Sequence, residues 1–219
     1  MPVRDPTHRA RLIAVTCLAF FVVGVLGRFA VAARLTTWDQ TILDQIAASR
    51  APWLTTIMRT MSLIGAPLFA IPVGMLVATL LYRRRERRAA VCYLVTVLSG
   101  WGLNLVLKAL FQRPRPNILA RLSIIGGFSY PSGHAMLAPL VFAFGAMLLA
   151  RGASAAATRL WWAGGWAMVL SIAYSRMYLA VHYPSDVIAG LLAGTGWIGL
   201  GVAVYSPLNP DPAARNPAG

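Results

Sequence analysis

The sequence predicts an all-α, polytopic membrane protein with six transmembrane helices and one short helix lying in the membrane interface. Three observations predict it. Hydrophobic residues fill 58% of the 219 positions and charged residues only 12%, with a mean hydropathy of +0.65, whereas a soluble domain carries about 25% charge. The apolar residues gather into six runs close to the roughly 20 residues that cross a hydrocarbon core. The basic residues gather in short clusters between those runs. A formal net charge of +14 would alone suggest nucleic acid, but basic clusters separated by apolar spans point to membrane topology, so no nucleic acid is expected as a partner.

Taken in order, the first span is Leu12–Ala33, preceded by Arg4, Arg9 and Arg11. That start is signal-like, yet it lacks a small-residue cleavage site before further spans follow, so it reads as a retained helix behind a cytoplasmic N-terminus, 1–11. Trp38–Ser49 follows a helical stripe, with Trp38, Ile42, Leu43, Ile46 and Ala47 on one side and Asp39, Gln40, Asp44 and Gln45 opposite. This pattern suits a helix in the interface plane, ended by Pro52. The second span, Pro52–Tyr82, is over-long and includes an interfacial lead-in. The third is Ala89–Leu110. The fourth, His134–Ala150, is short and starts as early as Ser132. The fifth and sixth are Leu160–Leu179 and Val187–Tyr205. The membrane domain is expected over 12–206, and the tail 207–219, rich in Pro and Ala, is expected to be disordered. Cys17 and Cys92 each fall inside an apolar run without metal-ligand spacing, which reads as packing rather than a disulfide framework or zinc site.

Orientation follows from the excess of basic residues on the cytoplasmic side. Arg83, Arg84, Arg85, Arg87 and Arg88 crowd one loop, and Arg4, Arg9, Arg11, Arg151 and Arg159 fall on the same side. Both termini are then cytoplasmic. One span further on, Lys108, Arg113, Arg115 and Arg121 must lie outside, against the rule. Basic residues there need another reason, and an anionic ligand is the obvious one.

Three clusters reach that outer face. Lys108 ends the third span, and Arg115 and Pro116 follow at Lys-x6-Arg-Pro spacing. Pro114 and Pro116 force an extended turn, which lets Arg115 fold back towards Lys108. Arginine grips phosphate oxygens bidentately while lysine acts as a point charge; alone, the pair also fits side chains snorkelling at a helix end. Pro131-Ser132-Gly133-His134 stands directly before an apolar helix, where serine is a good N-cap, glycine permits close approach and free N–H groups attract anions. Alone, it also fits a plain helix start. The third cluster is Ser175-Arg176, then His182, then Asp186. Pro184 suits the first turn of the last helix and places Asp186 within reach of the His182 ring. A carboxylate bonded to one ring nitrogen makes the other a better nucleophile or base, although Asp186 at this position also complements the helix dipole.

Together, Lys108–Pro116, Pro131–His134 and Ser175–Asp186 resemble the type 2 phosphatidic acid phosphatase (PAP2) superfamily. Its signature is Lys-x6-Arg-Pro, Pro-Ser-Gly-His and Ser-Arg-x5-His-x3-Asp, in that order, and no motif position departs from it. The resemblance implies a membrane lipid phosphatase with its site on the extracytoplasmic face of the plasma or inner membrane. It implies that His182 attacks phosphorus to form a phosphohistidine, oriented by Asp186, and that His134 protonates the leaving oxygen. Lys108, Arg115, Arg176, Ser132 and the Gly133 N–H would hold the phosphoryl oxygens. The expected partners are a lipid phosphate and the membrane, with no cofactor and no metal; the sequence does not speak to oligomeric state. The expected substrate is of the polyprenyl diphosphate or phosphatidylglycerol phosphate/phosphatidate type. Lipid-to-lipid phosphotransfer, lipid A dephosphorylation and, outside enzymes, anion transport are the alternatives. Related halide-oxidising, vanadate-binding proteins are typically soluble, and six spans count against them.

Overall fold

A computed structural model describes residues 6–116, 122 and 126–205, and among these every regular element is helical. The all-α expectation therefore holds. The helices are α1 (Pro6–Val31), α2 (Thr36–Ala48), α3 (Pro52–Ile64), α4 (Pro67–Arg83), α5 (Arg87–Phe111), α6 (Gly133–Leu149), α7 (Ala155–Tyr178) and α8 (Pro184–Tyr205). Arg4, Arg121 and the tail 207–219 lie outside the described residues.

By length and composition α1, α5 and α8 can each cross a membrane, and α3 with α4 makes a fourth span if the bent pair counts as one. The 17-residue α6 is a shorter apolar helix, and the 24-residue α7 carries Arg159 and Arg176. Large apolar side chains such as Phe21, Leu68, Leu110 and Leu160 are left exposed, as they are when lipid is the solvent.

The second apolar run is not one helix. It breaks between Ile64 and Pro67 with a bend of 58°. Proline lacks an N–H and disfavours the helical conformation in the residue before it, and Ala66 is accordingly extended, at φ −67° and ψ 142°. Continuous hydropathy hides this break, because both arms are apolar. A second proline, Pro139, falls inside α6, where the helix passes through a π-helical turn, Pro139–Ala143. Within that turn the Val141 carbonyl accepts a hydrogen bond from the Tyr93 hydroxyl at 2.8 Å.

Helix α6 is packed against α5, α7 and α8, α1 lies along α8, and α3 packs on α7. Close approach of α6 and α8 depends on Gly190. A β-carbon there would fall 2.6 Å from the Ser132 carbonyl oxygen and 3.0 Å from the Ala135 β-carbon. With no side chain in the way, the backbones meet, and the Ser132 N–H donates to the Asp186 carbonyl at 2.9 Å. This contact joins the start of α6 to the start of α8 and sets two of the three sequence clusters side by side.

Candidate active site

The cluster residues converge where α5 and α7 end and α6 and α8 begin. Lys108, in the last turn of α5, donates to the Phe128 carbonyl at 2.7 Å and the Ser129 carbonyl at 3.3 Å. Arg115 donates through Nε to the Gly126 and Gly127 carbonyls, both at 3.1 Å, and through Nη1 to the Val181 carbonyl at 2.8 Å. Both cations thus clamp the chain that leads into α6. The extended turn around Pro114 makes this possible. Ser132 caps α6, its hydroxyl accepting from the Ala135 N–H at 3.5 Å. Gly133 has no room for a side chain, since a β-carbon would meet Asn104 Oδ1 at 2.9 Å and the Trp101 ring at 3.1 Å.

His182 is 2% exposed. Its Nε2 lies 3.0 Å from Arg115 Nη1. A guanidinium nitrogen only donates, so Nε2 carries the lone pair and the ring proton belongs on Nδ1. Burial first, and then the charges of Arg176, Arg115 and Lys108, hold the imidazole well below the ordinary histidine value, which keeps it neutral at neutral pH. Nδ1 is 3.6 Å from Asp186 Oδ2, longer than a hydrogen bond. The direct neighbour is Ser129: its hydroxyl stands 3.3 Å from Nδ1 and donates to Asp186 Oδ2 at 2.5 Å. Asp186 bears on the ring largely through that hydroxyl.

The rest of Asp186 is committed elsewhere. Its Oδ2 also accepts from the Tyr183 N–H at 2.9 Å, and its Oδ1 accepts from Arg113 Nη1 at 2.6 Å. Arg113 Nη2 in turn reaches Asp39 Oδ2 at 2.7 Å, while Asp39 accepts from the Ser185 N–H at 2.9 Å and the Ser185 hydroxyl at 2.6 Å. Two sequence expectations change here. The sequence puts Asp39 opposite the apolar stripe of the interfacial helix, yet it is fully buried; it groups Arg113 with the cations that need an anionic ligand, yet Arg113 is 3% exposed and bridges two carboxylates. Burial acts against the Arg113 charge, but Asp186 and Asp39 more than offset it and hold the guanidinium above its usual value.

Arg176 is bonded differently. It is 1% exposed, its Nη1 donates to the Ser62 hydroxyl, and its Nε and Nη2 have no partner among the described residues. It lines a cavity of about 320 Å³ together with His134, Arg59, Ser62, Leu63, Ala66, Leu122 and Leu179. His134 and Ser62 line it side by side with Arg176. His182 is not among the residues that line this cavity, and its Nε2 is covered by Arg115.

Reading motifs alone misses Ser62 and Arg59 on α3, Ser129, and the Asp39–Arg113 pair. Arg59 did leave a signal, being the sole charge in the run 52–82. Ionisable residues inside apolar spans generally mark sites. The pairing of Asp39 with Arg113 left none, because 74 residues separate them.

Comparison with known proteins fits this arrangement. The sequence pattern of the PAP2 superfamily matches residues 89–209. Phosphatidylglycerophosphatase B of Bacillus subtilis (strain 168) is 30% identical over 159 residues, covering 71% of this chain and 77% of that protein. An undecaprenyl-diphosphatase of Sulfolobus acidocaldarius is 31% identical over 150 residues, covering 66% and 67%. The crystal structure of a transmembrane PAP2 type phosphatidylglycerolphosphate phosphatase from Bacillus subtilis superposes with a TM-score of 0.79 at 25% identity, covering 85% of this chain and 93% of that one.

Proposed function

The chain belongs to the PAP2 superfamily and is a phosphoric ester hydrolase, and from that premise we propose that it removes the terminal phosphate of a membrane lipid through a phosphohistidine at His182. The observation that carries this reading is Arg176. A cation buried to 1% exposure with two N–H groups unfilled, facing a cavity beside a histidine, calls for an anion able to accept from both. A phosphoryl group does so bidentately.

The substrate phosphate enters the cavity, takes the two free N–H groups of Arg176, and draws Arg115 from His182 Nε2 onto a phosphoryl oxygen. Lys108, the Gly133 N–H and Ser132 complete the cradle. The freed Nε2 lone pair forms the N–P bond as the bond from phosphorus to the leaving oxygen breaks. His134 gives that oxygen a proton. The positive charge that develops on the imidazole is met at Nδ1 by Ser129 and Asp186. In the second step His134 takes a proton from water, the water oxygen bonds to phosphorus, and the N–P bond breaks to release inorganic phosphate and restore His182. Phosphoryl transfer needs mainly positioning and charge stabilisation, which three cations and a helix N-terminus supply.

Proposed topology places both termini and the Arg83–Arg88 loop in the cytoplasm and the site outside, with six crossings, α3 and α4 forming one of them. The relatives' substrates, a phosphatidylglycerophosphate and a polyprenyl diphosphate, are the proposed substrate types. The test is phosphate release by detergent-purified protein from polyprenyl diphosphate, phosphatidylglycerol phosphate, phosphatidate and lipid A, in excess EDTA. Release from at least one, abolished by His182→Ala, supports the reading. No release from any of them, or release that a divalent ion must restore, contradicts it.

A further inference from the structure

One cation of the cavity is not used by the mechanism above. Arg59 lies on α3 with Ser62 and Leu63, whose spacing of i, i+3 and i+4 puts them on one face, and these three line the cavity together with Ala66 from the break that follows the helix. Ser62 on this face accepts from Arg176. Arg59 is one helical turn away, about 5–6 Å between β-carbons, on the side nearer the start of α3. Its side chain is exposed and, among the described residues, makes no hydrogen bond and no ion pair, and no carboxylate lines the cavity with it. It is the lone charge in the run 52–82, and ionisable residues in membrane helices generally serve a polar site.

We propose that Arg59 forms a second anion subsite, which binds a second phosphate of the lipid head while the terminal phosphate lies on Arg176. The inference rests on the phosphatase reading above and narrows its substrate class to head groups carrying two phosphates. Two kinds of lipid offer that chemistry. In a diphosphate ester the second phosphate is the leaving group: the bond from the terminal phosphorus to the bridging oxygen breaks, the electron pair stays on that oxygen, and Arg59 neutralises the charge of the departing monoester. In a head group with a separate phosphodiester, the second phosphate is remote from the breaking bond, and Arg59 contributes binding alone. The apolar Leu63, Leu122 and Leu179 beside it suit the start of the lipid tail.

The experiment compares wild type, Arg59→Gln and Arg59→Lys on two matched pairs: farnesyl diphosphate with farnesyl monophosphate, and phosphatidylglycerol phosphate with phosphatidate. Arg59→Gln is expected to lower kcat/KM about 10- to 100-fold, the range of a charge-assisted hydrogen bond, on the two-phosphate member only. Arg59→Lys is expected to restore part of it. If the diphosphate is the natural source, the loss falls on kcat; if the phosphodiester is, it falls on KM. Equal losses within each pair, or no loss, overturn the proposal. Binding of pyrophosphate against orthophosphate, read as a shift in melting temperature, separates this proposal from the function on which it rests. Pyrophosphate is expected to stabilise wild type more, and Arg59→Gln to erase the difference. Wild type inactive on all four lipids, but with this Arg59-dependent preference, would retire the phosphatase reading and leave the subsite standing. No preference for pyrophosphate in wild type counts against the subsite.

Discussion

On the α8 wall of the site, Arg113 is 3% exposed and each of its charged contacts is answered, by Asp39 at 2.7 Å and Asp186 at 2.6 Å. On the α7 wall, Arg176 is 1% exposed, yet two of its nitrogens, Nε and Nη2, are answered by nothing among the described residues. Both are buried guanidinium groups, and burial of such a charge is tolerated only with compensation. The first wall is compensated from within the fold and is therefore fixed. In the proposed mechanism the second is compensated when the substrate anion arrives. On that proposal, the difference separates groups that orient the nucleophile from groups that wait for the substrate.

The same substitution on both walls tests this contrast. Arg113→Met leaves two fully buried carboxylates, Asp39 and Asp186, without their cation. A loss of about 3–5 kcal/mol of stability is expected, as for other broken buried pairs, seen as a large fall in melting temperature in detergent. Arg176→Met strands no acid. Its melting temperature is expected to stay level or rise, while kcat/KM falls by roughly 10²–10³, the scale of losing one transition-state donor. Equal destabilisation by the two variants would erase the distinction between the walls.

Within the fixed wall, Ser129 links Asp186 to His182. Ser129→Ala is expected to lower kcat by about 10-fold, roughly 1.4 kcal/mol, with little change in KM, because it misorients the ring without touching the cavity. A rise in KM at constant kcat would place Ser129 in substrate binding instead. The smallest expected effect is on pH. His182 is held below the ordinary histidine value in the folded protein, so the unfolded chain binds its proton more readily. Stability from this group is full above about pH 6.5 and declines as pH falls below it. Acidification from pH 7 to pH 5 should lower the melting temperature of wild type more than that of His182→Ala. Equal slopes would argue against a neutral, buried His182.

Much of this site was legible because its residues come in short-range units. Lys108 with Arg115, Ser132 with His134, and His182 with Asp186 are each set by local turns and helix starts, and the positions of Pro114, Ser132 and Pro184 foretell those starts. The helices were legible as apolar runs, with ends displaced by a few residues; α1 begins at Pro6 rather than Leu12 and α8 at Pro184 rather than Val187. What stayed hidden depends on tertiary contact. No local rule pairs Asp39 with Arg113, and an amphipathic stripe gives no sign that Asp39 alone of its polar side is buried while Asp44 and Gln45 stay exposed. The bend after Ile64 was masked because hydropathy averages over the two residues that break the helix. Ser129 stood one residue before the Pro-Ser-Gly-His segment's tyrosine neighbour, but its meaning depends on Asp186, 57 positions away.

In the proposed mechanism His182 Nε2, kept neutral and oriented by the fixed wall, receives the phosphate held by the open one. The direct measurement is trapping of the intermediate. Purified protein is mixed with a labelled lipid phosphate, quenched in alkali, digested and mapped by mass spectrometry, alongside His182→Ala and His134→Ala. An activated aryl phosphate serves as a second substrate, since its leaving group needs little protonation. The account predicts an acid-labile phosphate on His182, absent from His182→Ala and still formed by His134→Ala from the aryl phosphate. A phosphoenzyme that persists in His182→Ala, or one mapped to His134, would contradict it.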